Sequence, residues 1–166
     1  MAFFTPPALS LKSRALRLLS TREYSRAELV RKLTPHEEQP GTLAQALDEL
    51  QAKGFISEQR VAESVVNRRA GKLGATRIRH ELQTKGLDTQ VVDAALAQLQ
   101  SSEFERAKDI WQRKFGLLVV DASDRAARAS ATARQMRFLL TRGFTAEVVR
   151  RVIRASVTSF EDENEL

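Results

Sequence analysis

Basic side chains are concentrated in the middle of this sequence, where six of them fall between residues 68 and 85 against one acid, Glu81. Gly71 and Gly74 lie among them and leave room for a close approach. Such a corner can bind phosphate groups through guanidinium forks and through the free N–H groups at the start of a helix. It is also compatible with an ordinary solvated face, so phosphate binding is a candidate role for the six: Arg68, Arg69, Lys72, Arg77, Arg79 and Lys85.

A second group of bases lies near the C-terminus. Arg134, Arg137 and Arg142 are candidate nucleic-acid-binding residues, and Arg150, Arg151 and Arg154 follow them. The chain has 27 basic and 21 acidic side chains, and four of the acids fall in its last six residues, EDENEL. A body this basic usually meets a polyanion or an acidic protein surface. The acidic end could screen that surface when no partner is bound.

Other kinds of chemistry find little support. The two histidines, His36 and His80, have no partner at ligand spacing, and the absence of cysteine excludes thiolate nucleophiles and fits a reducing cytoplasm. Neither G-x-S-x-G nor a glycine-rich phosphate loop occurs. Adjacent acids such as Asp48 and Glu49 point about 100° apart on a helix and cannot converge on one substrate. We therefore expect no catalytic site, no metal and no cofactor.

The elements that must position the bases are helices. In TRIRHELQTKGLDTQVVDAAL (76–96), apolar residues recur every three or four positions on each side of Gly86, which suits the left-handed position after a helix. Shifting this helix–glycine–helix unit by 57 positions places it on Gly143 and Phe144, and shifting it back by 49 matches the apolar positions of 29–50. Repeats of this size are typical of stacked helical modules.

We therefore predict an all-α protein of three tandem three-helix repeats in an elongated arrangement, which a small rotation between units would curve. The predicted divisions are a flexible arm (1–9), repeats at 10–55, 56–101 and 102–158, and an acidic, disordered tail (159–166). The predicted helices cover about 10–20, 25–33, 42–53, 57–71, the two parts of 76–96 on either side of Gly86, 102–115, a long segment ending near 142, and 145–158. LLVV at 117–120 is expected to be a buried connector, and Asp121, Ser123 or Asp124 to cap the long helix. No apolar run is long enough to span a bilayer.

The sequence resembles the RecX family, regulatory proteins that modulate the RecA recombinase. The matching segments are LKSRALRLLSTREYSRAELVRKL (11–33), LDELQAKGFISEQRVAESVV (47–66), NRRAGKLGATRIRHELQTKGLD (67–88) and RQMRFLLTRGFTAEVVRRVI (134–153). Two features depart from the family pattern: Val61 stands where an aromatic often occurs, and the third repeat has a longer, alanine-rich stretch.

The resemblance implies three helical repeats, no enzymatic activity and a monomer that binds the groove of a RecA–DNA filament. It would limit filament extension or promote disassembly, and so lower strand exchange, ATP hydrolysis and coprotease function. The implied partners are RecA and the phosphates of single-stranded or duplex DNA, without a membrane.

Two other interpretations stay open. A helix-turn-helix regulator acting without RecA would use TLAQALDEL (42–50) as its reading helix, but that segment holds two acids and no arginine. A protein scaffold with a merely solubilising basic face would bind neither DNA nor filaments in a salt-sensitive way.

Overall fold

The computed structural model describes residues 9–118 and 123–162, with side chains as far as Ser156. Within these ranges the chain forms nine α-helices and no strand. The helices are α1 (Leu11–Leu19), α2 (Arg26–Leu33), α3 (Thr42–Ala52), α4 (Glu58–Arg69), α5 (Ala75–Thr84), α6 (Thr89–Gln100), α7 (Glu103–Phe115), α8 (Arg125–Thr141) and α9 (Ala146–Asp162). The predicted all-α architecture of three helix triplets is confirmed.

The first set contains α1, α2 and α3, with a 3₁₀ turn at Thr34–His36. Ser25 and Glu28 form the capping box that their spacing predicts, because each side chain accepts a hydrogen bond from the other residue's backbone N–H. Leu29 and Leu47 are fully buried in the core of this set. The apolar stripes of three short helices thus close on one another.

The second and third sets have cores of their own. Val61, Ile78 and Leu82 lie in the core of α4, α5 and α6, and Leu139 and Val149 in that of α7, α8 and α9. In the described part of the chain, every two helices in extensive contact are members of the same set. Three small cores therefore follow one another along the chain. None of the described helices combines the length and apolar composition needed to cross a bilayer.

Two local expectations differ from the structure, and a third is settled among its alternatives. Leu117 is 100% exposed, so the prediction of a buried connector is wrong there, while the last two residues of LLVV lie outside the described residues. Helix α9 continues to Asp162, so residues 159–162 are helical and not disordered, and residues 163–166 are not described. Of the three proposed caps for α8, Asp124 is the one used, since its carboxylate accepts from the Ala127 N–H. The predicted N-terminal arm also falls almost wholly outside the described residues.

Candidate functional site: a basic cleft between the second and third helix sets

An open cleft of about 700 Å³ lies where the second and third sets meet. Its apolar floor includes Ile110 and Phe138, and the rim is basic. Among the described residues that line it, six carry positive charge and one, Glu81, is acidic. The six are Arg69, Lys72, Arg77, Arg113, Lys114 and Arg142. The cleft thus joins bases from both of the predicted groups.

The second set contributes the wall between α4 and α5. Lys72 lies in the turn after α4, so it does not share a helical face with Arg68, four positions earlier. Its ammonium has no hydrogen-bond or ion-pair partner in the described part of the chain. Arg69 forms an ion pair with Glu81 at 2.8 Å, and the Arg77 Nε–H donates to the Thr141 carbonyl at 3.1 Å. Lys72 is therefore the most available cation of this wall.

The third set contributes the opposite wall. The Arg142 guanidinium lies 3.7 Å from the centre of the Phe138 ring, a cation–π contact that holds it at the floor of the cleft. Arg113 and Lys114 come from the last turn of α7. Neither residue is among the predicted site residues, because basic residues in a last helical turn are common and their neighbours across the cleft are distant in sequence.

The seam under the cleft is a close backbone contact. The Gly74 N–H donates to the Arg142 carbonyl at 2.9 Å, and the Thr76 N–H donates to the Gly143 carbonyl at 3.1 Å. Both glycines are needed, because a Cβ on either would overlap the other set. The expectation that the start of α5 offers free N–H groups to phosphate is therefore wrong for its first two residues, because the third set already accepts hydrogen bonds from the N–H groups of Ala75 and Thr76. Anion binding here depends on side chains.

The first turn of α7 completes the seam. Glu103 is buried, and its carboxylate accepts a hydrogen bond from the Ala75 N–H at the start of α5. Arg106 donates to the carbonyls of Ala70 and Leu73, at 2.9 and 3.0 Å. Burial lowers the pKa of the Arg106 guanidinium, and the neighbouring Glu103 charge opposes that shift. This pair holds the turn that presents Lys72.

Lys85 lies elsewhere, at the seam between the first and second sets. Its ammonium forms an ion pair with Glu28 at 2.7 Å, and both side chains are nearly buried. Burial would raise the pKa of Glu28, but hydrogen bonds from Lys85, the Ser25 N–H and Arg22 outweigh it and lower that pKa to about 2. Lys85 is thus engaged within the protein and turned away from the cleft.

The remaining predicted residues lie outside the cleft. The Arg68 Nε–H donates to the Ser64 carbonyl, and Arg79 forms an ion pair with Asp93 at 2.6 Å. Arg134 lies on α8, and its guanidinium carbon is 5.9 Å from the centre of the Phe115 ring. Arg137 is exposed on the same helix. Of the nine predicted residues, the cleft brings together four: Arg69, Lys72, Arg77 and Arg142.

This arrangement suits an extended polyanion more than a small metal-bound substrate. Three or more cations project into an open groove, and guanidinium and ammonium groups both bind phosphate or carboxylate oxygens. Within the described ranges no group of three histidine or acidic side chains could hold a metal ion.

Comparison with known proteins supports the fold and identifies the family to which the chain belongs. Three family models match: the first three-helix domain of RecX over residues 12–50, the second over 57–96 and the third over 101–153. A crystal structure of RecX from Lactobacillus salivarius superposes with a TM-score of 0.77 at 20% identity, covering 89% of this chain and 95% of that chain. It shares the fold.

Curated relatives are closer in sequence. The regulatory protein RecX of Leptothrix cholodnii is 47% identical over 95% of this chain and 96% of its own length. That of Ralstonia nicotianae is 44% identical over 95% of this chain and 94% of its own length. Since the three helix sets, their order and nearly the whole length agree, the chain belongs to the RecX family of regulatory proteins.

Proposed function

We propose that this protein acts as a monomer that binds the RecA–DNA filament in its groove and limits filament extension or promotes disassembly, without catalysing a reaction itself. The single observation that carries the DNA contact is the cleft in which bases of two helix sets converge. The ammonium groups of Lys72 and Lys114 have no hydrogen-bond or ion-pair partner among the described residues, and they are suited to DNA phosphates.

The arrangement of the sets in series supports the filament as the target. A long body can touch several protomers and the DNA at once, and linked weak contacts raise the total affinity through effective concentration. Such a protein would prefer a filament over free RecA and would hinder rearrangement between neighbouring protomers. The electrostatic part of this binding must weaken as salt is added.

The test is a titration of RecA ATP hydrolysis on single-stranded DNA with the variant Lys72→Ala/Arg113→Ala/Lys114→Ala. Removing these exposed bases leaves no buried acid unpaired, since Arg113 has only a weak pair with Asp109, at 3.7 Å. We expect half-maximal inhibition to need about tenfold more protein, on the order of 0.5 kcal/mol per lost contact.

A matched control removes three exposed bases from the first set, Arg17→Ala/Arg31→Ala/Lys53→Ala. It should inhibit as the unaltered protein does. Equal inhibition by both variants, with helicity intact, would remove the cleft from the mechanism.

The competing function is a DNA-binding regulator that acts without RecA. In that case α3 would read bases, yet Asp48 and Glu49 on α3 form ion pairs with Arg26 and Lys12 within the first set. Gel-shift comparison of naked single strands, naked duplex and RecA-coated DNA separates the two functions. A clear preference for coated DNA supports our proposal, and equal affinity for naked duplex supports the alternative.

A further inference from the structure

The N-terminal half of α8 extends beyond the third core. The only buried residue of this 17-residue helix is Leu139, near its C-terminal end, and Met136 and Phe138 pack beside it. By contrast, residues 125–130 are all exposed except Ala127, which is half-buried. These six residues, a little under two turns of helix, therefore present most of their side chains to solvent. None of these residues lines the cleft described above.

Intrinsic propensity accounts for a helix where little is buried. Residues 125–133 include five alanines, the residue type with the highest helix propensity. Asp124 caps the first turn by accepting the Ala127 N–H at 2.9 Å. The segment is thus helical because of local preference and a good cap, and its outward surface is free to serve another purpose.

That outward surface is basic. Arg125 and Arg128 are three positions apart and share a face, and neither side chain has a hydrogen-bond or ion-pair partner in the described residues. The helix contains no acidic residue from 125 to 141. The side chains between the arginines are small, so the helix backbone can come close to whatever the guanidinium groups bind.

The composition favours nucleic acid over protein as the partner. Protein interfaces depend on large anchors such as tryptophan, tyrosine or buried aliphatic side chains, and residues 125–133 contain none. A guanidinium group binds phosphate oxygens in a bidentate manner. A bare, alanine-rich helix also fits the DNA major groove, which is about 12 Å wide.

We propose that the N-terminal half of α8 is a second DNA-contacting surface, in which Arg125 and Arg128 bind phosphates of the DNA backbone independently of the cleft. Phe138, Thr141 and Arg142, at the other end of α8, line the cleft. At 1.5 Å per residue the two surfaces are roughly 20 Å apart, or about six base pairs of duplex. One helix therefore spaces two contacts along the same DNA.

The experiment is a salt titration of binding to labelled duplex DNA, without RecA, by fluorescence anisotropy. The variant Arg125→Ala/Arg128→Ala should bind about tenfold more weakly at low salt, and the slope of log K against log salt should become shallower by about 2, close to 0.9 for each lost phosphate contact. Alanine raises helix propensity, so folding is not at risk, and circular dichroism checks this.

Two further variants make the result specific. Arg125→Lys/Arg128→Lys keeps the charges and should keep the slope. Arg17→Ala/Arg31→Ala removes two exposed arginines from the first set and should change the slope little. A slope for Arg125→Ala/Arg128→Ala equal to that of this control, or no salt-dependent binding by the unaltered protein, would overturn the inference.

A third measurement distinguishes protein from DNA. If Arg125→Ala/Arg128→Ala weakens binding to RecA-coated strands and leaves the naked-duplex slope unchanged, the surface contacts protein and the DNA assignment is wrong. Failure of the cleft variant to relieve ATPase inhibition would instead count against the proposed function, while leaving this inference intact.

Discussion

At the scale of single residues, Lys72 and Lys85 carry the same ammonium group and serve different purposes. Lys85 is held by Glu28 at the first seam and is nearly buried, whereas Lys72 is exposed on a turn with no partner among the described side chains. A charge buried with its partner fixes geometry, and a free charge remains available for a ligand. Charge type alone does not distinguish the two roles.

The Glu28–Lys85 pair predicts a specific pH dependence. The folded state lowers the pKa of Glu28 from 4.5 to about 2, so its stabilisation is complete above about pH 4.5 and is lost as the pH falls through 2. Glu28→Gln should lower the free energy of unfolding by on the order of 2–3 kcal/mol near neutral pH, because Lys85 loses its charged partner. Urea titrations across this pH range should show the difference between the two proteins shrinking as the solution is acidified.

Glu38→Gln is the control, since Glu38 is exposed and unpaired within the described structure. It should change stability by less than about 0.5 kcal/mol at any pH. If the difference in free energy of unfolding between wild type and Glu28→Gln stays constant down to low pH, the charged Glu28–Lys85 pair does not provide the stabilisation.

At the scale of elements, the two seams repeat one joint. In each, the start of the middle helix of one set meets the turn before the last helix of the next set. Ser25 donates through its hydroxyl to the Lys85 carbonyl, and Gly74 donates through its N–H to the Arg142 carbonyl. The turn glycines that follow, Gly86 and Gly143, both have positive φ. The repeat in sequence is thus also a repeat in how neighbouring sets dock.

This joint predicts unequal costs for two similar substitutions. Gly143 has φ +85°, and a Cβ there would lie 2.6 Å from the Arg77 backbone nitrogen, whereas Gly54 has φ +74° with open space around it. Gly54→Ala should cost about 1 kcal/mol from backbone strain alone. Gly143→Ala should cost about 3 kcal/mol or more, because the third set must also shift away from α5. Thermal or urea unfolding of both variants measures the difference, and equal losses would show that the seam tolerates movement.

At the scale of the whole molecule, three small cores joined by polar seams should not share stability evenly. Leu139→Ala should cost about 3 kcal/mol in the third core, and Leu47→Ala a similar amount in the first. Because neighbouring sets are coupled only through their seams, each substitution should lower mainly the stability of the helix set that contains it.

Native-state hydrogen exchange is the measurement. In Leu139→Ala, amides of α7, α8 and α9 should lose most of their protection while those of α2 and α3 keep theirs, and Leu47→Ala should give the reverse. Equal loss throughout the chain in both variants would show a single cooperative unit instead.

The sequence by itself determined the helices, their caps, the turn glycines and the repeated three-helix pattern, because spacings of three and four residues and capping rules act within a few positions. Only the tertiary structure decided which bases converge. The cleft joins residues of 69–81 with residues of 110–114 and 138–142, and that meeting depends on how two preformed sets dock at Gly74 and Gly143. That docking also occupies the Ala75 and Thr76 N–H groups at the start of α5, whereas the seam between the first and second sets places Lys85 in an ion pair with Glu28. Local periodicity carries no information on the angle at a seam, so long-range packing had to supply it.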